Sequence, residues 1–135
     1  MRGRRLAGLL IAAVSSVCDA QERSRPVTPA DYRIRPPASL IARLYPDRAQ
    51  RMEVSGRATI DCRITPAGRM EDCAVISESP EQYGFGPSAI KISEWIGLVP
   101  PTKAEVREGL TRRTMTMTFE VPYEPPLTLP PAADR

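Results

Sequence analysis

Three cysteines and no histidine limit the chemistry open to this 135-residue chain. Without histidine there is no Ser-His or Cys-His nucleophile pair, no His-ligated zinc and no imidazole general base. Catalysis would need a carboxylate pair or a Ser/Lys site. Glu71, Asp72 and Glu78 are the acidic candidates, and no nucleophile is spaced to work with them. They read as solvent-facing charges. Met115 and Met117 have the spacing of a strand face, which suits a core better than a copper site. The chain is therefore read as non-enzymatic, with no metal and no cofactor. Arg112-Arg113 is an isolated basic pair at a strand end, read as solvated. There is no Lys/Arg stripe with interleaved aromatics, so no nucleic-acid partner is expected.

Cys62 and Cys73 are the cysteines that follow the N-terminal segment. Their spacing excludes a CxxC redox site. Both sit in segments that alternate like strands, with Ala58, Ile60, Cys62 and Ile64 on one face. Thr65-Pro66-Ala67-Gly68-Arg69 carries turn chemistry between them, because Pro fixes one φ and Gly permits a positive one. If Thr65 pairs with Met70, Cys62 falls directly opposite Cys73, within reach of a disulfide. Two buried free thiols are the alternative. This register places Glu71 on the face of Ile64, and a bulge near Met70 would correct it.

The N-terminal segment has its own signature. Arg2, Arg4 and Arg5 precede an apolar run over residues 6–17, which ends at Cys18-Asp19-Ala20. This is the pattern of a secretory signal peptide over residues 1–20, cleaved after Ala20. Twelve helical residues span about 18 Å against roughly 30 Å of bilayer hydrocarbon, which disfavours an inner-membrane anchor. A lipidated Cys18 is the third option, and Val17 and Ser15 fit it badly. The formal charge is +3, from 19 basic and 16 acidic residues. Removing the leader leaves 16 and 15, so the basic pI is no argument for an anionic partner. An even cysteine count in an exported chain favours the disulfide.

The remaining elements follow from periodicity. Residues 21–39 are polar and punctuated by Pro26, Pro29, Pro36 and Pro37, and read as an extended lead-in without a core of its own. Pro46 is placed to start a short helix over Asp47, Arg48, Ala49 and Gln50. Phe85, Ala89, Ile92 and Ile96 recur at helical spacing, with Pro87 at the first helical position and Gly97 after the end. Trp95 is expected at the edge of that apolar face, in or half in the core. Lys103 to Leu110 reads as a loop. In the last strand Met115, Met117, Phe119 and Val121 alternate with Thr114, Thr116, Thr118 and Glu120, the first set toward the core. Five prolines in residues 122–131 mark an extended tail, residues 123–135. Strand, strand, helix, strand gives an α+β fold: a three-stranded antiparallel sheet packed on one helix. Its strand order is 2-1-3, with the last strand on an edge.

With that order in place the chain resembles the C-terminal domain of the TonB family. The resemblance rests on Tyr45-Pro46 with Ala49, Gly56 leading into a strand, and Gly68 in the hairpin turn. It continues through Ser77-Glu78-Ser79-Pro80, Gly84-Phe85-Gly86 with Ala89, Trp95 and Pro100. It covers residues 40–122, and the paired cysteines are similar to those of family members with a bridged first hairpin. It implies a periplasmic domain of a Gram-negative bacterium that grips a segment of an outer-membrane receptor as an added strand. The family passes force from an inner-membrane, proton-driven motor to import siderophores or similar nutrients. An open edge strand offers unpaired N–H and C=O groups for such a grip. The implied partner-binding residues here are Thr114, Met115, Thr116, Met117, Thr118, Phe119, Glu120 and Val121. A homodimer through the same edge is a further arrangement this admits.

The chain departs from a full energy transducer. Its apolar N-terminal run is short, the transducers' membrane histidine is missing, and there is no long Pro-Glu/Pro-Lys spacer. Residues 21–44 reach at most about 85 Å when fully extended. Coupling to the motor therefore carries over poorly. Two functions follow: a transport-associated binding module for a receptor or other envelope protein, or a stand-alone periplasmic structural or assembly module.

Overall fold

The computed structural model describes residues 22–121. The leader expected over residues 1–20 and the tail expected over residues 123–135 lie outside the described residues. The elements run β1 (Ser24–Pro26), a 3-10 turn (Pro29–Asp31), β2 (Tyr32–Ile34), α1 (Ala38–Arg43), α2 (Asp47–Arg51), β3 (Gly56–Ile64) and β4 (Met70–Ser79). They continue with α3 (Phe85–Ser93), β5 (Gly97–Leu98), α4 (Lys103–Arg107) and β6 (Arg112–Phe119). Among the described residues no helix is long and apolar enough to cross a membrane.

The α+β class and the β-β-α-β core are as expected, with β3, β4, α3 and β6 as its members. The main sheet has the order β1-β6-β3-β4, so the predicted 2-1-3 order stands inside it. One strand more lies outside it. β1 comes from the lead-in and pairs in parallel with β6, Ser24 opposite Arg112 and Pro26 opposite Thr114. β2 pairs with β5 in a separate two-stranded sheet. The lead-in is thus folded against the domain, where the sequence suggested a segment apart. Its partners lie some sixty to ninety residues away, and no local pattern announces such pairing.

The core lies between the sheet and α3. Ala58, Ile60, Cys62 and Ile64 of β3 are buried, as are Phe85, Ala89 and Ile92 of α3 and Met115 and Phe119 of β6. Both alternations were readable, because each element buries one face and period 2 or 3.6 reports which. Phe85, Phe119 and Tyr45 cluster at one end, with Phe85 and Phe119 ring centroids 5.3 Å apart. Trp95 is 58% exposed, against the expectation of a core position. The helix ends at its cap, Glu94, and the turn that carries Ile92 and Ile96 inward turns Trp95 out. α3 starts at Phe85 with Gly84 as its cap, two residues before Pro87, and Gly97 serves in β5.

The hairpin register is one residue from the expected one. Ile64 pairs with Met70, and the turn closes through Thr65 N–H to Arg69 O at 2.9 Å and Gly68 N–H to Thr65 O at 2.8 Å. Gly68 holds φ +81° against the carbonyl of Leu98, a place no Cβ fits. The required bulge exists, two residues beyond Met70. Asp72, at φ +49°, is inserted there, and the register shifts between Asp61 and Arg63. The Ile64–Met70 pairing buries Met70 and turns Glu71 out beside Arg63, and the bulge then carries Cys73 to Cys62. The disulfide is formed, with Cα atoms 4.1 Å apart. The expected loop after Pro101 contains α4, capped by Thr102, whose hydroxyl accepts from Glu105 N at 3.2 Å while Glu105 accepts from Thr102 N at 2.8 Å. That Thr-x-x-Glu box was present in the sequence and is a known helix start.

Candidate functional site

β6 pairs with β3 without a register shift, from Arg112 opposite Arg63 to Phe119 opposite Gly56. Its outer edge divides in two. Over residues 112–114 the edge is covered by β1. The expectation of an open edge from Thr114 onward is corrected there: Thr114 O accepts from Val27 N at 2.9 Å. Beyond Thr114 no strand pairs with this edge among the described residues. Glu120 and Val121 lie past the end of β6, and Val121 N donates inward to Ser55 Oγ at 3.0 Å.

The covered half identifies which groups point outward. Arg112 N donates to Arg23 O at 3.3 Å, and Thr114 O accepts from Val27, so residues 112 and 114 face the edge. Backbone groups alternate along a strand. Thr116 and Thr118 therefore present their N–H and C=O to the open edge, while Met115, Met117 and Phe119 spend theirs on β3. Their hydroxyl-bearing side chains lie on the exposed face, where Thr116 Oγ1 meets Thr59 Oγ1 at 2.8 Å.

Two apolar clefts open beneath this edge on the core side. One, of about 270 Å³, is lined by Tyr32, Pro36, Ile41, Met115 and Met117, with Arg35 at its mouth. The guanidinium of Arg35 sits 4.1 Å above the Tyr32 ring. The next, of about 210 Å³, lies among Ala38, Ile41, Tyr45, Phe119 and Val121, with Gln50 and Glu120 as polar groups. A strand laid along the edge would turn alternate side chains toward these clefts. Of the eight sequence-derived residues, Met115, Met117, Phe119 and Val121 form cleft wall, Thr116 and Thr118 form the ladder, Thr114 is occupied and Glu120 flanks the end.

Below the covered half lies an ionic network that sequence reading missed. Arg25 of β1 donates to both oxygens of Asp31, at 2.9 and 2.8 Å, and to Glu105 Oε1 at 3.0 Å. Glu105 also accepts from Arg113 at 3.0 Å. Arg113 is 1% exposed, and further donates to the carbonyls of Leu110 and Arg112, both at 3.0 Å. It shares the strand face of Met115, so it points inward and has to be paired. The hydrogen bonds from Arg25, joined by those from Thr28, hold the Asp31 carboxyl well below the usual carboxylate range. Burial lowers the Arg113 value. On the opposite face Arg112 donates to Asp61 at 2.5 Å, and Ser24 also donates to Asp61. Burial raises Asp61, but the hydrogen bonds from Ser24, Arg112 and Thr114 outweigh it and leave the group lowered. Arg112-Arg113 is therefore a buried-and-clamped pair and not a solvated strand end. The residues that complete it come from elements some eighty positions apart.

Glu71 and Asp72 are exposed and pair with Arg63 at 3.9 and 3.4 Å. Glu78 is not a free surface charge: its Oε2 accepts from Gly86 N at 2.5 Å, at the N-terminus of α3, where the helix favours an anion. Among the described residues no three Cys, Asp or Glu side chains converge as a metal-ligand set.

The family model for the Gram-negative bacterial TonB protein C-terminal matches residues 42–121. The solution NMR structure of the Pseudomonas aeruginosa TonB CTD is similar at 21% identity, covering 70% of this chain and 88% of its own, with a TM-score of 0.48. No protein of curated function matches the chain. That family is one of binding domains without catalysis, and its model spans both strands of the hairpin, α3 and β6. The chain belongs to the family of Gram-negative bacterial TonB C-terminal domains.

Proposed function

We propose that this domain acts in the periplasm by taking an extended segment of an outer-membrane receptor, or of a related envelope protein, as a strand along residues 116–121. The role is associated with transmembrane transport of siderophores or similar nutrients. One observation supports it above the others: the outward N–H groups of Thr116 and Thr118 stand on a regular ladder over two apolar clefts. Main-chain hydrogen bonds supply affinity in such additions, and the pockets for alternate side chains supply selectivity. In this reading residues 1–20 direct export and are removed, residues 40–122 form the binding domain and residues 123–135 are a tail. The same edge could be filled by a second copy of the chain.

The stand-alone structural reading is favoured by one feature. Residues 24–34, which a force transducer would use as spacer, are spent on β1 and β2. Intact mass of the exported protein tests the fate of residues 1–20: a chain starting at Gln21 is expected in both readings and argues against force transmission, and a full-length, membrane-bound chain would overturn the cleavage and argue for force transmission.

Site-specific photo-cross-linking tests the grip itself. A photoreactive residue at Thr118 should capture an outer-membrane receptor in cells, and one at Ile76 on the opposite edge should not. Capture from Ile76 alone, or no outer-membrane protein from Thr118, overturns the proposal.

A further inference from the structure

β1 is held on β6 in an unusual manner. It is three residues long and ends in Pro26, which has no N–H to give. Backbone bonds flank the paired residues at both ends: Arg23 N to Gly109 O at 2.7 Å, Arg112 N to Arg23 O at 3.3 Å and Val27 N to Thr114 O at 2.9 Å. Ser24 and Pro26 are exposed, and Val27 just beyond the strand is its apolar anchor. What fixes it is polar: Ser24 on Asp61, and Arg25 on Asp31 and Glu105. Segments with little buried apolar surface open at low cost, well below global unfolding.

We propose that β1 is an exchangeable strand, a cis occupant of the β6 edge that an incoming strand replaces. The inference rests on the strand-addition reading above and deepens it. With β1 in place the edge of β6 offers two outward residues, Thr116 and Thr118. With β1 released it offers four, adding Arg112 and Thr114, a ladder as long as an ordinary strand. The vacated place also states what it accepts. A replacing strand needs a hydroxyl side chain to reach Asp61 and, next to it, a cation to reach Glu105, the two contacts that Ser24 and Arg25 make. The incoming segment is therefore one with Ser or Thr followed by Arg or Lys. The Arg25 clasp sets how readily β1 yields, since a tethered strand competes at a high effective concentration.

The test uses a synthetic peptide copying residues 22–31, titrated into the full-length, isotope-labelled chain and followed at the amides of residues 112–118. The parent and the Arg25→Ala variant are compared, with Arg25→Lys as a milder second variant that retains the charge. The peptide is expected to shift the amides of Arg112, Arg113 and Thr114 in Arg25→Ala at least ten-fold more tightly than in the parent, with Arg25→Lys between. A peptide with Glu in place of the arginine that copies Arg25 is expected not to bind. Equal affinity for parent and variants, or no shift at residues 112–114 in either variant, overturns the exchange. The strand-addition reading is judged separately, by the cross-link from Thr118. If that cross-link is present and the peptide fails, the exchange alone falls. If the cross-link is absent from parent and variants alike, the reading falls and takes the exchange with it.

Discussion

The sheet has two sides that end in strands of similar length, β4 and β6, and they are built to opposite ends. β4 carries two register shifts against β3, one beside Asp72 and one near Ile76, and it exposes Val75 and Ile76 without any strand pairing on its outer side among the described residues. β6 runs against the same β3 with no shift over eight pairs. Bulges break the even spacing of N–H and C=O groups that a second strand would need. An apolar edge can thus be left open when its backbone is irregular, whereas a regular edge has to be covered or used. β6 is covered by β1 for its first three residues, and the remainder stands over clefts. The difference teaches that openness and exposed apolar area do not by themselves mark a docking edge. In the proposed reading ladder regularity does, and β6 has it.

The sharpest way to break this contrast is proline placed by ladder parity. Met117→Pro removes a donor to β3 in the middle of the sheet and should destabilise more than any other change considered, seen as lost or strongly lowered thermal unfolding in circular dichroism. A fold that survives Met117→Pro intact would show that the parity drawn from β1 is wrong.

The bulged edge is tied down by the Cys62–Cys73 bridge. Replacing both cysteines with Ala should remove about 2–3 kcal/mol. For a domain of this size that is on the order of 10 °C in Tm. Hydrogen exchange should rise along β4 before β6. Uniform loosening of both edges would remove the bridge from its place in the comparison.

Thr116→Pro and Thr118→Pro lie on the other parity. Both should fold, because proline is accepted where the N–H faces outward, and each should weaken capture of a receptor segment about ten-fold, or about 1.4 kcal/mol. Thr116→Ala keeps the backbone and should change little. Calorimetry of the variants with the cross-linked receptor's own segment reads this out. Parent-like binding by both proline variants would end the case for the β6 edge. Ile76→Lys, on β4, should leave binding unchanged.

The smallest effect concerns acid. The folded-state value of Asp31 lies below its unfolded one of about 4, so its ion pair stabilises fully above that pH and is lost as pH falls below it. Tm of the parent should drop below pH 4 more steeply than that of Asp31→Asn, the two differing by about 1 kcal/mol at neutral pH. Identical acid limbs would show that the clasp does not hold β1.

β3, β4, β6, α3 and the disulfide could be read in advance because each declares itself over a few residues. Ile60, Cys62 and Ile64 alternate, Phe85, Ala89 and Ile92 recur at helical spacing, and Cys62 and Cys73 flank one tight turn. The capping box at Thr102 and Glu105 was equally local and was passed over. The candidate site was half legible. The face of Met115, Met117 and Phe119 followed from alternation, but which N–H groups point outward depends on a partner strand. Trp95 failed for a related reason: a helix face is read from its period, and the period ends where the helix is capped.

The sequence by itself determined the α+β order and the buried faces, which are set by periodicity, turn chemistry and spacing within short windows; it favoured the bridge, and it carried the family as a resemblance of ordered motifs. Only the tertiary structure decided that β1 lies on β6, that Arg113 is buried against Glu105 and that Thr116 and Thr118 are what remains of the edge. The first and last rest on contacts between residues 23–27 and residues 109–114, and the burial of Arg113 rests on a carboxylate of α4 that also serves Arg25; charge pairing and parallel strand pairing of this kind leave no periodic trace in the segments involved.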